Sequence, residues 1–260
     1  MQVTGVGAPG YSRRVGDGGR GRDKGPELNY SEKSIRVGAM APGKPKRLMH
    51  RPASPRQVRL VLFLSIVYLA VAAAFIGLGR NFEFLIYLAV MTVIIVAVLA
   101  VYRRAGLSLP LLAGFSLWGL LHMIGGLVPI PAHWHSTDTT GVVYNWRLIP
   151  GYLRYDQVVH GFGVGLTTWL VWQALSTRVR GDDGGLLRPT PGMLAVCATA
   201  GMGFGAMNEV VEFIATLILP TTNVGDHVNT GWDLVANFVG ATVTALAISF
   251  VARRRAMRET

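Results

Sequence analysis

The chain has 260 residues, of which 51% are hydrophobic and only 15% charged, and its 25 Lys and Arg outnumber 14 Asp and Glu to leave a formal charge of +11. This composition excludes an ordinary soluble domain and points to an integral membrane protein. The basic excess invites a nucleic-acid reading, but it falls in tails and short loops, where cytoplasmic retention and anionic headgroups account for it, so no nucleic-acid partner is expected.

In chain order, residues 1–57 are rich in Gly, Pro, Ser and basic residues without apolar periodicity, which predicts a disordered basic cytoplasmic tail. Ser12-Arg13-Arg14 has the letters of a twin-arginine export signal, yet the next apolar run begins far beyond signal-peptide spacing. Met40 and Met49 each precede a basic segment and are alternative starts. A membrane domain is expected over 58–252 and a basic cytoplasmic tail over 253–260.

Charge-free runs at Leu60–Gly79 and Phe84–Tyr102 are near the ~20 residues a helix needs to cross hydrocarbon. These first two helices, joined by Gly79-Arg80-Asn81, read as scaffold. The third run, Ala105–Leu121, continues into His122 and Gly125-Gly126 before leaving the membrane near Pro129-Ile130-Pro131. The loop that follows holds Trp134, Tyr144, Trp146 and Tyr152, ring types that favour the headgroup level. Two further spans carry polar groups, about 155–175 and about 193–219, and a sixth starts with Asp233 and runs through Leu234–Ala252. The lone cysteine, Cys197, lies in the fifth span and reads as a small buried hydrophobe.

The expected architecture is all-α, a polytopic protein of six transmembrane helices. With the N-terminus inside, only Arg80, Arg147 and Arg154 fall on the outer side, which makes both termini cytoplasmic and the bacterial cytoplasmic (inner) membrane the expected location. Gly161/Gly165 and Gly201/Gly205 are spaced to let helix backbones approach closely.

Chemistry gathers in one half of these helices. Glu209 and Glu212 sit one turn apart on the fifth, where an ionised carboxylate costs roughly 2.5–3.5 kcal/mol at the bilayer centre and needs a partner, a proton or a polar cavity. Asp156 and His160 share a face of the fourth helix, Asn237 lies one turn inside the sixth, and His122 completes the set. At a rise of ~1.5 Å per residue, Glu212, His122, His160 and Asn237 share a layer, with Glu209 deeper and Asp156, Asp226, His227 and Asp233 at the mouth. His122, His160, Glu212 and Asp233 are the candidate ligands for a divalent transition metal, since imidazole and carboxylate suit Zn, Fe or Mn. Glu209, Glu212 and Asp156 are the candidate catalytic groups, for proton relay or for acid/base work on a lipid headgroup. Taken singly, Asp156 and Asp233 also read as helix caps, and Asn237 as interhelical glue. A Gly-x-Ser-x-Gly nucleophile elbow is absent from the sequence.

The ordered string Tyr155-Asp156-x-x-x-His160-x-x-x-x-Gly165, Asn208-Glu209-x-x-Glu212 and Gly225-Asp226-x-x-x-Thr230-x-x-Asp233-x-x-x-Asn237-x-x-Gly240-Ala241 resembles the YjdF-like family of bacterial inner-membrane proteins over about residues 60–252. His122-x-x-Gly125-Gly126 is similar to that family's upstream His-Gly element, and the last three elements also resemble the wider VanZ-like group. The resemblance implies that Asp156, His160, Glu209, Glu212, Asp226, Asp233 and His122 are characteristic polar positions, and it implies no reaction. Gln157 and Asn229 stand where the family pattern carries an Arg and an acid, which weakens any cation site that relies on the second acid.

Three functions stay open at this point. The first is metal-binding or acid/base chemistry on a lipid or lipid-linked envelope component, with membrane lipids as partners. The second is a proton- or cation-coupled transporter, and the third a non-catalytic membrane assembly or resistance factor.

Overall fold

The structure is a computed structural model and describes residues 50–79, 82–131, 133–134, 141–181, 184–219, 222 and 225–259. The expectations placed on residues 1–49, on the alternative starts Met40 and Met49, and on Arg80 lie outside the described residues.

Six helices carry the described chain: α1 (Pro55–Gly79), α2 (Phe82–Ala105), α3 (Leu109–Leu127), α4 (Tyr155–Arg178), α5 (Pro191–Ile218) and α6 (His227–Glu259). Each is long and apolar enough to cross a membrane, as the expected all-α architecture requires. Phe63, Phe75, Leu217 and Leu246 are more than half exposed, the reverse of a soluble core and the pattern of a surface that meets lipid. The protein is therefore a multi-pass membrane protein.

α4 is the central element. Half of its most apolar stretch is buried, against 17% for α1, α2 and α6, and it packs on α2, α3, α5 and α6. The small residues foreseen at helix crossings explain how. Gly161 approaches the backbone of Ala236, and Gly240 lies so close to Gly161 that a Cβ there would meet the Gly161 carbonyl oxygen at 1.9 Å. Gly201 and Gly205 do the same for α5, against Thr168 and Val164 of α4 and Asn237 of α6.

At the end of the bundle away from the polar residues, residues 50–53 are held against the turn between α2 and α3. Ala53 N–H donates to Leu107 O at 2.9 Å, Tyr102 Oη donates to Ala53 O at 3.0 Å, and His50 Nε2 lies 2.9 Å from Gly106 O. Burial holds the His50 imidazole below its ordinary value. At the C-terminal end, α6 runs past residue 252 to Glu259.

Between α3 and α4 the loop folds inward. A 3-10 turn at Val143–Asn145 leads into a two-stranded antiparallel hairpin, β1 (Arg147–Ile149) and β2 (Leu153–Arg154), in which Arg147 stands opposite Arg154. Tyr152 is 81% exposed, as a surface aromatic should be, and Trp134 packs on Trp146 with ring centres 4.5 Å apart. Tyr144 departs from that expectation and turns into the bundle, because its hydroxyl finds a partner on α3.

Candidate functional site

The hairpin end of the bundle collects the polar side chains of α4, α5 and α6. α4 starts cleanly there because Arg154 N–H donates to Gln157 Oε1 at 3.0 Å, and the next turn delivers Asp156 and His160 to the face shared with α5 and α6. α5 starts from the opposite end, with Thr190 accepting from Met193 N–H at 3.3 Å and Pro191 in its first turn, so Glu209 and Glu212 arrive near its last turns.

His160 is the hub. Its Nδ1 lies 3.1 Å from Glu209 Oε1, while its Nε2 lies 3.4 Å from Asp156 Oδ1 and 3.6 Å from Glu212 Oε1. Glu209 is expected deeper than the histidine layer, and the imidazole spans the turn between the two glutamates to reach both. Glu212 has a second support, since Asn208 Nδ2 donates to its Oε1 at 2.7 Å. Neither oxygen of Glu209 has hydrogen-bond geometry to any donor among the described residues.

The start of α6 corrects three assignments. Because that helix begins at His227 rather than at Asp233, Asp233 lies nearly two turns inside, fully buried, and neither caps the helix nor stands at the mouth. Asp226 does the capping instead, its Oδ1 accepting from Val228 N–H at 3.1 Å and Asn229 N–H at 3.0 Å, and it is exposed, as is His227. Asp226 also stays ionised more readily than usual, mainly through the Asn229 N–H it accepts. Asn237 falls ten residues into α6, roughly 15 Å at the helical rise, which moves it from the histidine layer down to the level of Glu209. Both of its side-chain amide atoms are buried without a hydrogen-bond partner, as is Asp233 Oδ1.

Asn229 and Arg154 belong to the site, although the sequence reading did not count them there. Asn229 Nδ2 donates to Asp233 Oδ2 at 2.6 Å and to Asp156 Oδ2 at 3.3 Å, and its Oδ1 accepts from Arg154 Nη1 at 2.7 Å. The amide thus ties the acids of α4 and α6 to a guanidinium on β2. The signal was present in the spacing: Asn229 precedes Asp233 by four residues and must share its face.

His122, an expected metal ligand, lies outside the two groups of potential donors found among the described residues. Its Nδ1 hydrogen-bonds the Tyr144 hydroxyl, and its ring is enclosed by Tyr87, Trp118 and Tyr144 with centres 5.4–5.8 Å away. Burial, then the charges of Asp156 and Glu212, push the Tyr144 phenol well above its ordinary value, which keeps this hydroxyl protonated. Metal-ligand geometry arises instead in two overlapping sets, Asp156 with His160 and Asp233, and His160 with Glu209 and Glu212, within each of which the donor atoms lie within 4.8 Å of one another.

A family model described as a predicted membrane protein (DUF2238) matches residues 59–254, the whole of the six-helix region but its edges. The chain belongs to the DUF2238 family. The YjdF-like resemblance leads to this same family, and the polar centre lies wholly inside the DUF2238 match. Comparison with curated proteins and with solved structures gave no significant match.

Proposed function

We propose that the polar centre holds a divalent transition metal and carries out acid/base chemistry on a lipid or lipid-linked envelope component of the bacterial cytoplasmic membrane. The observation that carries this reading is the convergence of four carboxylates from α4, α5 and α6 on one imidazole, with oxygens of Glu209 and Asp233 left without donors. Buried carboxylates are tolerated when they are paired or coordinate a cation, and Arg154 with one imidazole does not balance four of them. A dication does.

The donor set, oxygen-rich with one nitrogen and no thiolate, suits Mn, Fe or Zn. In this reading His160, which both sets share, would hold the metal with Glu212 from one set and Asp233 from the other, and Asp156 with Asn229 would orient the ring and the α6 acid. Bound there, the metal supplies Lewis-acid polarisation of a substrate oxygen. Glu209, which has no donor of its own, carries the proton. By the placement of Lys and Arg, this end of the bundle faces outward, so the substrate would come from the outer leaflet.

Metal analysis of detergent-purified protein tests the proposal. Bound Mn, Fe or Zn that is lost in Glu212→Ala supports it. Metal-free protein that drives solute flux down a proton gradient in proteoliposomes overturns it in favour of a coupled transporter.

A further inference from the structure

Beside the polar centre lies a cavity of about 210 Å³ whose walls come from α2, α3, α4 and α5, with Asn237 of α6 at one end. Most of its lining is hydrocarbon: Ile94, Ala97, Val101, Phe115, Leu170 and Phe204. Polar side chains meet it where it adjoins the centre, namely His122, His160, Asn208 and Asn237. Along α4 its lining runs from Val159 to Leu170, about 16 Å at the helical rise, a length close to half of the ~30 Å hydrocarbon core.

The cavity has a side entrance. α5 packs on α4 and α6, and α2 packs on α1 and α4, so the two helices flank the cavity without forming a packed interface of their own. Ala97 on α2 and Phe204 on α5 are both exposed at its margin, the latter 57%. In a bilayer that margin meets acyl chains. Nothing water-soluble has a reason to fill an apolar slot that opens onto lipid, whereas a hydrocarbon chain fits it in polarity and in length.

We infer that this cavity seats one acyl chain of a membrane glycerolipid, admitted sideways between α2 and α5, with the chain's ester linkage against Asn237. Asn237 is fully buried, lines the cavity, and has both amide atoms without a hydrogen-bond partner, so its Nδ2 has a donor to offer an ester carbonyl. His160 borders the same end and stands 3.1 Å from Glu209, so the linkage would lie next to the carboxylates of the centre. This assignment rests on the proposed lipid chemistry and narrows its substrate to acyl glycerolipids.

The test is photolabelling in proteoliposomes of phosphatidylethanolamine and phosphatidylglycerol that carry a diazirine in one acyl chain. Labels are mapped by peptide mass spectrometry, and metal content is measured on the same samples. Labels are expected to concentrate on residues 94–101, on Leu170 and on Phe204. They should fall about ten-fold in Ala97→Trp and in Val101→Trp, since forcing a chain into a blocked slot costs at least the energy of that factor. Val93→Trp, on an exposed position of α2 outside the cavity, should label like the unaltered protein. Even labelling of all lipid-facing residues, no loss in Ala97→Trp, or displacement of the label by an isoprenoid alcohol but not by a glycerolipid overturns the assignment. Concentrated labelling of a protein that binds no metal leaves the acyl seat standing and removes the metal proposal alone.

Discussion

His160 Nδ1 on α4 stands 3.1 Å from Glu209 Oε1 on α5, while the opposite nitrogen of the same ring faces both Asp156 and Glu212. One imidazole therefore joins both potential ligand sets, and its removal dismantles both. His160→Ala should abolish metal binding, read as metal per protein after purification. His122→Ala should keep the metal, because Nδ1 of that ring is engaged by Tyr144. The opposite pattern would return His122 to the ligand set.

Asn208 touches the centre only through Glu212, whose Oε1 accepts from its amide at 2.7 Å. Such orienting partners typically change metal affinity roughly 10–100-fold when removed. Asn208→Ala should weaken binding by that range in a competition titration with a chelator, while Asn208→Asp, which puts like charge against Glu212, should not rescue it. Unchanged affinity in Asn208→Ala would place Glu212 outside the coordination sphere.

The six spans were legible because hydropathy in a membrane chain is a one-dimensional signal: twenty apolar residues leave few alternatives. The polar side chains of the candidate centre could be picked out too, since ionisable groups at that depth stand out against their background. Their partners were harder. A start for α6 at Asp233 looked natural from the charge-free run that follows, but Asp226 supplies a better cap seven residues upstream, so the helix starts six residues earlier and Asp233 and Asn237 lie nearly two turns deeper. Tyr144 was read as an interfacial aromatic because nothing in a single sequence says that a loop side chain reaches back to His122. Depth follows from helical rise, whereas who faces whom depends on helix rotation, which α4 sets by packing on four neighbours.

The Tyr144 hydroxyl gives the fold a base-sensitive point. Its folded-state pKa lies above the ordinary value of ~10, so on raising the pH the unfolded chain releases this proton first. The folded state then holds more protons than the unfolded one, and stability must fall with increasing pH from about 10 upward. Thermal unfolding in detergent should show that decline, and Tyr144→Phe should reduce it while lowering stability at neutral pH by about 1 kcal/mol for the lost hydrogen bond. An identical alkaline decline in both proteins would assign the effect to other groups.

Close approach of α4 and α6 depends on the absence of a single methyl group at their crossing. A Cβ on Gly240 would meet the Gly161 carbonyl oxygen at 1.9 Å and its carbonyl carbon at 2.6 Å, and backbone atoms of a buried helix cannot step aside as a side-chain tip can. Gly240→Ala should therefore push the helices apart, with a cost of roughly 1–3 kcal/mol or more as in other overpacked contacts. Since Asn229, Asp233 and Asn237 ride on α6, the same change should also loosen the centre and weaken metal binding. Gly231 on the same helix has nothing within 4 Å of its missing Cβ. Gly231→Ala should be neutral or stabilising by up to about 1 kcal/mol, the ordinary gain of helix propensity. Thermal unfolding of the two variants side by side separates crossing geometry from propensity: equal shifts would mean that α4 and α6 do not cross at these glycines.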